Sequence, residues 1–160
     1  MRLAVLGLIA PVMLASCGML EARLPSAPEA NNLPTTTIRI DTAAGPKAIS
    51  VEIAADAASQ ERGLMYRTQL APDAGMLFDF HQEARVSFWM KNTPLPLDMV
   101  FIKADGVVSS IEPNAIPYST ATIPSAEPVR AVLEINGGRA RDLGIQPGDR
   151  VRAPIFHDMN

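Results

Sequence analysis

The sequence contains very little cysteine: Cys17 is the only one among 160 residues. A chain with a single cysteine cannot form an internal disulfide bond, so its folded part must be stabilised by a hydrophobic core. A chain of this length is sufficient for one domain with such a core. We therefore expect one domain that is held together by packing.

Histidine is also scarce. His81 and His157 are the only two, and no metal-ligand spacing joins them. We therefore predict no metal site and no cofactor, and the sequence supports no Ser-His-Asp arrangement. Asp98 and Glu134 would form a carboxylate pair only if the fold brings them together. A hydrolytic enzyme is the least favoured function, although enzymatic activity stays open.

Basic residues are too few and too dispersed for a nucleic-acid surface. The 14 Lys and Arg residues are outnumbered by 17 Asp and Glu residues, which gives a formal net charge of −3, and the basic residues form no cluster. Proteins bind nucleic acid largely through Lys and Arg contacts to phosphates. We therefore predict no nucleic-acid partner.

The amino-terminal segment differs in character from the rest of the chain. Arg2 precedes an apolar run from Leu3 to Leu14, which is typical of a secretory signal and about half the length of a membrane-spanning helix. The run ends in Leu14-Ala15-Ser16-Cys17, which resembles the lipobox of bacterial lipoproteins. This resemblance implies that residues 1–16 are removed and that Cys17 carries the lipid. The alternative is an ordinary cleaved signal in which Cys17 is incidental.

The lipobox interpretation also predicts a location. Acyl chains on Cys17 would hold the protein to a membrane, and Gly18 after the cysteine resembles the outer-membrane type of sorting signal. Residues 17–34 mix Pro, Ala, Ser and Asn without a sustained period, which is typical of a flexible tether. We expect a periplasm-facing lipoprotein of the cell envelope, at the outer membrane, with one folded domain over residues 35–160.

Short alternating segments dominate this domain and predict strands. Residues 37–40 and 49–53 alternate apolar with polar on either side of Gly45-Pro46, and Asp105-Gly106 marks a second hairpin. Asp56 is expected to cap a short helix over residues 57–62, which Gly63 would end in a left-handed conformation. Further expected elements are strands over 76–80, 86–91, 97–103, 107–111 and 129–135, a proline-rich loop over 113–128 and a helical turn through Asp142.

The expected fold is therefore mainly β, or α+β with one or two short helices. The segment from Gly144 to Val151 resembles the turn-and-strand element of cradle-loop and double-psi barrels. We accordingly expect a small closed β-barrel of cradle-loop type. The alternative is a two-layer α+β sandwich.

Several ordered motifs resemble one known family. They are GLMYR at residues 63–67, GMLFDF at 75–80, FWMKNT at 88–93, PLDMVFI at 96–102 and the final Gly148-Asp149. Their order and spacing over about residues 36–152 are similar to those of the domain of unknown function 192 (DUF192) family. The resemblance implies a compact β-rich domain that is commonly exported, and it supplies no assigned reaction.

The FWMKNT segment is the main candidate for a functional surface. In a strand, Phe88 and Met90 would face a core, whereas Trp89 would share the opposite face with Ser87 and Lys91. An exposed indole can stack on a ligand and donate one hydrogen bond. The alternative is that Trp89 is only a packing anchor.

The turn after this segment supplies polar groups. Lys91, Asn92, Thr93 and Asp98, together with Arg67, would form a surface for a small polar ligand, a glycan or a peptide. Two alternatives stay open. Asn92 and Thr93 would simply satisfy the backbone of the turn, and Arg67 with Asp98 would form a structural ion pair.

A third class of function is periplasmic Cu(I) binding. Met65, Met76, Met90 and Met99 are spread through the motif regions, and thioethers suit Cu(I) in an exported protein that lacks thiols. Trp89 beside Met90 resembles copper chaperones in which a Trp caps a Met-ligated ion. The favoured alternative is that these methionines fill the core.

Overall fold

The computed structural model describes residues 32–156. The expected signal, the expected lipid attachment site Cys17, most of the expected tether and His157 therefore lie outside the described residues. No helix within residues 32–156 is long and apolar enough to cross a membrane.

Strands dominate the described part of the chain, as the alternating segments predict. Its elements in chain order are β1 (Thr35–Thr42), β2 (Gly45–Ala54), α1 (Ala57–Arg62), β3 (Ala74–Ala84), β4 (Ser87–Phe88), β5 (Leu97–Ile102), β6 (Val108–Ala115), β7 (Ile123–Pro124), β8 (Val129–Asn136), α2 (Arg139–Leu143) and β9 (Arg150–Arg152). The mainly β prediction with short helices is confirmed.

Seven of these strands form one curled sheet in the order β6-β5-β8-β3-β2-β1-β9. The two outermost strands are brought together by backbone hydrogen bonds, from Val108 N to Asp149 O at 2.8 Å and from Gly148 N to Val108 O at 2.9 Å. An isolated bridge joins Val107 to Arg150 beside them. The sheet therefore curls into a barrel-like shape with its edges joined at one end, as expected for a small β-barrel.

The local signals for the hairpins and the first helix are confirmed. β1 pairs with β2 with Thr42 opposite Gly45, and β5 pairs with β6 around Asp105-Gly106. Asp56 caps α1 by accepting hydrogen bonds from the backbone N–H groups of Ala58 and Ser59. These elements follow from short-range sequence chemistry.

Three expectations need correction. Gly63 has a positive φ of 47°, but its ψ of −135° lies outside the left-handed helical region. The strand expected over residues 86–91 is only Ser87–Phe88. Beyond it, the N–H of Met90 donates to the carbonyl oxygen of Ser119, which lies in the proline-rich segment and not in a neighbouring strand. That loop is shorter than expected, since β6 extends to Ala115 and Ile123–Pro124 pairs with β4.

The central strands β3, β8 and β5 are buried on both faces. Inside the barrel, Leu77, Leu133 and Val100 belong to one apolar cluster. On the outer face, Phe78, Val132 and Phe101 belong to a second cluster, which α1, β4 and the 113–128 segment help to cover. This second cluster, here called the outer layer, positions the candidate site.

Asp98 ties the region around α2 to the barrel. Its side chain is fully buried, and its carboxylate accepts hydrogen bonds of 2.8 Å from the backbone N–H groups of Asn114, Gly138 and Ala140. A buried carboxylate with three backbone donors is well satisfied and fixes the segments that supply them. Asp98 is therefore a structural anchor for these segments.

We expect Asp98→Ala to lower the free energy of unfolding by about 3–5 kcal/mol, because it leaves N–H groups without their acceptor. Asp98→Asn should lower the free energy of unfolding less than Asp98→Ala does, because the amide keeps one oxygen as an acceptor. It still destabilises the fold, because its NH₂ group replaces the other oxygen and points at a backbone N–H donor. Urea unfolding measures both changes. The matched control is Asp142→Ala in the same region, where the side chain is about half exposed; it should change stability by less than about 0.5 kcal/mol. Equal effects of Asp98→Ala and Asp142→Ala would show that Asp98 is not an anchor.

Candidate functional site

A cavity of about 260 Å³ lies on the outer face of the sheet, between α1 and the segment from Val86 to Thr93. We call it the inner cavity. Its lining residues are Gln60, Glu61, Arg62, Gly63, Leu64, Met65, Phe78, Phe80, Val86, Ser87, Phe88, Trp89, Thr93 and Glu134. Gly63, Leu64, Phe78 and Glu134 are buried and form its floor, whereas Glu61, Ser87 and Trp89 are exposed and mark its mouth.

The cavity is shaped by a tight contact at Gly63. The positive φ of Gly63 turns the chain away from α1, and a Cβ at this position would lie 3.2 Å from Cζ of Phe78. Glycine is the residue that tolerates both conditions without strain. Gly63 thus lets the end of α1 sit close to the outer layer while leaving the space beyond Phe78 open.

Glu134 is the one carboxyl group in the floor. It lies on β8, where Met76 of β3 and Met99 of β5 are its neighbours across the sheet. Its exposed fraction is 4%, and no hydrogen bond or ion pair joins its carboxyl group to another of the described residues. A buried polar group without a partner is costly and uncommon, so it calls for a functional explanation.

Burial changes the chemistry of this group. Loss of solvation raises the pKa of Glu134 from 4.5 to about 8. At neutral pH the carboxyl group is therefore largely protonated and able to donate a hydrogen bond into the cavity. A strongly perturbed carboxyl group in a concave site is a typical mark of function.

Trp89 stands at the mouth with 44% of its surface exposed. The ammonium group of Lys91 lies over its ring, 5.1 Å from the centroid, which is a cation–π contact. The sequence left open whether Trp89 is an exposed indole or a packing anchor, and the structure shows it exposed. One face of the indole is already occupied by the protein's own lysine.

A wider outer groove adjoins the inner cavity and shares Trp89, Met65, Arg62 and Glu61 with it. Asn92 lines this groove and donates to the hydroxyl oxygen of Tyr66 at 2.8 Å. The backbone N–H of Tyr66 in turn donates to the carbonyl oxygen of Asn92 at 2.8 Å. The outer groove is therefore edged by two residues that fix each other's position.

The edge of the groove contains strained backbone. Tyr66, Asn92 and Tyr118 have φ values of 64°, 56° and 61°, a range that residues other than glycine seldom adopt. Tyr118 is held beside Asn92, because its N–H donates to the carbonyl oxygen of the next residue, Thr93, at 3.1 Å. Such strain costs roughly 1–3 kcal/mol per residue and is concentrated at functional sites.

The structure brings together four of the six residues that the sequence suggested. Trp89, Lys91 and Asn92 line the outer groove, whereas Thr93 is buried and lines the inner cavity. Thr93 Oγ1 also donates to the carbonyl oxygen of Lys91 at 3.2 Å, which is the local turn bond expected as an alternative. These four residues form the connection between the groove and the cavity.

The expected placement of Arg67 and Asp98 beside them is corrected. Arg67 pairs with the carboxylate of Glu52, with Nη2 and Oε2 separated by 2.6 Å. Asp98 is buried against the backbone near α2 and does not pair with Arg67. The two charges are each satisfied by other partners, so neither lines the groove or the cavity.

Asp98 and Glu134 do not form a carboxylate pair. They lie on adjacent strands, but Asp98 is opposite Ile135 and Glu134 is opposite Met99. Residues opposite each other share a face of the sheet, and neighbouring residues along a strand point to opposite faces. The sheet therefore separates the two carboxyl groups.

The methionines of the copper alternative mostly lie in the outer layer. Met76, Met90 and Met99 are buried in that cluster, and Met65 lines both the cavity and the groove. Burial in one apolar cluster is what core packing predicts. Copper binding stays a prediction, since no measurement of Cu(I) affinity bears on it.

Sequence reasoning missed Glu134 as a cavity residue, together with the rings of Phe78 and Phe80. One local signal was available: Glu134 is the single charged residue in the run Val132-Leu133-Glu134-Ile135, within a strand that proves to be buried on both faces. A charged residue in such a run is exceptional.

The sequence and the structure both have relatives. The family model of DUF192, described as "Uncharacterized ACR", matches residues 38–153. No curated protein matches the chain. A candidate transcription regulator from Sinorhizobium meliloti 1021 is similar in structure, with 50% identity, 75% of this chain and 94% of that chain covered, and a TM-score of 0.73.

A protein of unknown function from Novosphingobium aromaticivorans DSM 12444 is also similar. It shares 40% identity, with 83% of this chain and 95% of that chain covered, and a TM-score of 0.76. Neither relative brings an assigned ligand. Because the family model covers most of the chain and these two structures are similar to it, the chain belongs to the DUF192 family.

Proposed function

We propose that this chain is a binding module that holds a small ligand in the inner cavity, with the polar part of the ligand against Glu134. The observation that carries the proposal is the buried Glu134 carboxyl group, which has no partner among the described residues and faces the cavity. A ligand that contacts this group would supply the missing polar interaction. At about 260 Å³ the cavity is slightly smaller than the usual range for ligand sites, roughly 300–1,000 Å³, and this favours a small molecule.

The outer groove supports a related alternative. It is larger and more polar, and it contains Trp89, Lys91 and Asn92, which suits the glycan or peptide that the sequence suggested. Its polar groups, however, already have partners: Lys91 lies on Trp89, and Asn92 bonds to Tyr66. We therefore favour the inner cavity as the place where a ligand gains most.

The cost of Glu134 predicts how stability depends on pH. The unfolded chain releases this proton near pH 4.5 and the folded chain near pH 8, so the folded state holds one more proton between these values. Stability should therefore fall by about 1.4 kcal/mol per pH unit as the pH rises through this window, and level off above it. Urea unfolding at a series of pH values measures this slope.

Two variants provide the control. Glu134→Gln and Glu134→Leu should remove the slope, and Glu134→Leu should be more stable than the wild type above neutral pH. Hydrogen bonds from the Ser59 backbone and from Arg152 lower the pKa values of Asp56 and Asp41, so these groups act in the opposite sense and only below pH 3.8. A wild-type slope that both variants retain would show that Glu134 is not a buried acid.

Ligand binding is measured through Trp89, because it is the only tryptophan in the chain. We expect a set of small amphipathic fragments to contain members that change its fluorescence. Glu134→Leu should weaken them about tenfold or more, since a hydrogen bond to a buried group is lost. Lys91→Ala removes the cation from the groove side of the indole and should change their affinity by less than about twofold.

The opposite pattern of effects on affinity would place the binding site in the outer groove. Fragments, glycans or peptides that are weakened by Lys91→Ala and Asn92→Ala but not by Glu134→Leu would bind in the outer groove instead. The absence of any binder would contradict the proposed function.

We also propose that the domain is presented at the cell envelope, facing the periplasm, by lipid on Cys17. Support comes from Leu14-Ala15-Ser16-Cys17 alone. Cys17→Ser should release the protein from the membrane fraction of its host while leaving the thermal unfolding of the domain unchanged, because residues 17–34 are expected to be a tether. A Cys17→Ser protein that sediments with membranes as strongly as the wild type would contradict this proposal.

A further inference from the structure

The inner cavity has walls of unusual composition. Four of its lining side chains are aromatic, and we call them the aromatic walls: Phe78, Phe80, Phe88 and Trp89. The titratable groups that share this lining with Glu134 are Glu61 and Arg62, both on α1. Carboxyl groups therefore outnumber cationic groups in this lining.

The rings form a corner and not a flat stack. The ring of Phe88 lies 5.1 Å from that of Phe78 at 89° and 6.2 Å from that of Phe80 at 78°. At such steep angles the edge of one ring packs against the face of another, so the rings line the cavity in different orientations. The face of an aromatic ring carries negative potential, so a cation in the cavity is attracted wherever it meets a ring face.

The Glu134 carboxyl group adds a full negative charge when it ionises. An ammonium ion with alkyl substituents matches both features, because it carries a positive charge and is weakly hydrated by comparison with a metal ion. Metal ions prefer several oxygen, nitrogen or sulfur ligands. Residues 32–156 contain no group of three or more His, Cys, Asp or Glu side chains that could hold a metal.

The wall at the mouth already binds a cation of this kind. Lys91 places its ammonium group over the Trp89 ring on the side of the outer groove. This contact shows that the Trp89 ring attracts positive charge at the face that Lys91 occupies. The protein cation remains in the groove and leaves the inner cavity free.

We propose that the inner cavity binds an alkylated ammonium group, enclosed by the aromatic walls and neutralised by the Glu134 carboxylate. This inference rests on the proposed function and specifies the chemical class of its ligand. The cation would provide the charge partner that Glu134 lacks among the described residues.

Binding a cation in this way is coupled to the loss of a proton. In the free protein burial raises the pKa of Glu134 to about 8, so below that pH the cation must displace the proton. The affinity should therefore rise by up to about tenfold per pH unit as the pH increases toward 8, and then level off. A neutral ligand that accepts a hydrogen bond from protonated Glu134 would show the opposite trend.

The experiment compares choline with 3,3-dimethyl-1-butanol, its neutral isostere, by calorimetric titration of the full chain. Above pH 8 we expect choline to bind at least about tenfold more tightly than the isostere, which corresponds to about 1.4 kcal/mol. Near neutral pH, titrations in two buffers of different ionisation enthalpy should show close to one proton released per choline bound. Glu134→Gln should remove the proton release and most of the preference, and Phe88→Leu, which removes part of the aromatic walls, should weaken choline more than the isostere.

Two controls keep these results interpretable. Glu134→Leu provides a second variant should Glu134→Gln fold poorly, and Asp142→Ala, a half-exposed residue that lines neither the cavity nor the groove, should change the affinity for choline by less than about twofold. A preference that both Glu134 variants leave undiminished would overturn the inference.

The possible failures are distinguishable. If the isostere binds as tightly as choline, or if other fragments bind and choline does not, the proposed ligand class is wrong and the binding function stands. If no small molecule binds in the cavity, the proposed function fails together with the inference.

Discussion

The structure depends on the burial of its central strands on both faces. β3, β5 and β8 carry apolar side chains inside the barrel and also on its outer face, so the outer layer must be covered by other parts of the chain. α1, β4 and the segment around Ser119 provide that cover. They do so incompletely, and the inner cavity is the space that remains between the cover and the sheet.

Glu134 turns this space from a packing defect into a candidate site. A cavity lined only by apolar groups would hold no titratable group. The carboxyl group between Met76 and Met99 instead makes the stability of the outer layer depend on pH. Above neutral pH, an apolar residue at position 134 would give a more stable protein. Proteins often keep a destabilising group at a functional site, because activity is gained at the expense of stability. A buried carboxyl group at the floor of an open cavity fits this relation.

Local patterns in the sequence predicted much of the fold. The hairpins at Gly45 and Asp105-Gly106 and the Asp56 cap depend on neighbouring residues only. The sequence left the exposure of Trp89 open, and the strand expected to carry this residue ends at Phe88. The partners of Arg67 and Asp98 could not be predicted in the same way, because they lie on segments distant in the sequence. Glu134 was recognised only as a carboxyl group, since its burial depends on β3 and β5 on either side of β8.

Both the loss of stability from burying Glu134 and the proposed binding function depend on the protonation state of this residue. Selective ¹³C labelling of glutamate allows its carboxyl resonance to be followed by NMR as the pH changes, with Glu134→Gln used to assign the signal. We expect one glutamate in the folded protein to titrate near pH 8 and to return to its ordinary value when the protein is unfolded in urea. A Glu134 resonance that titrates near pH 4.5 in the folded protein would show that the group is solvated or paired, and would contradict a buried acid at the floor of the cavity.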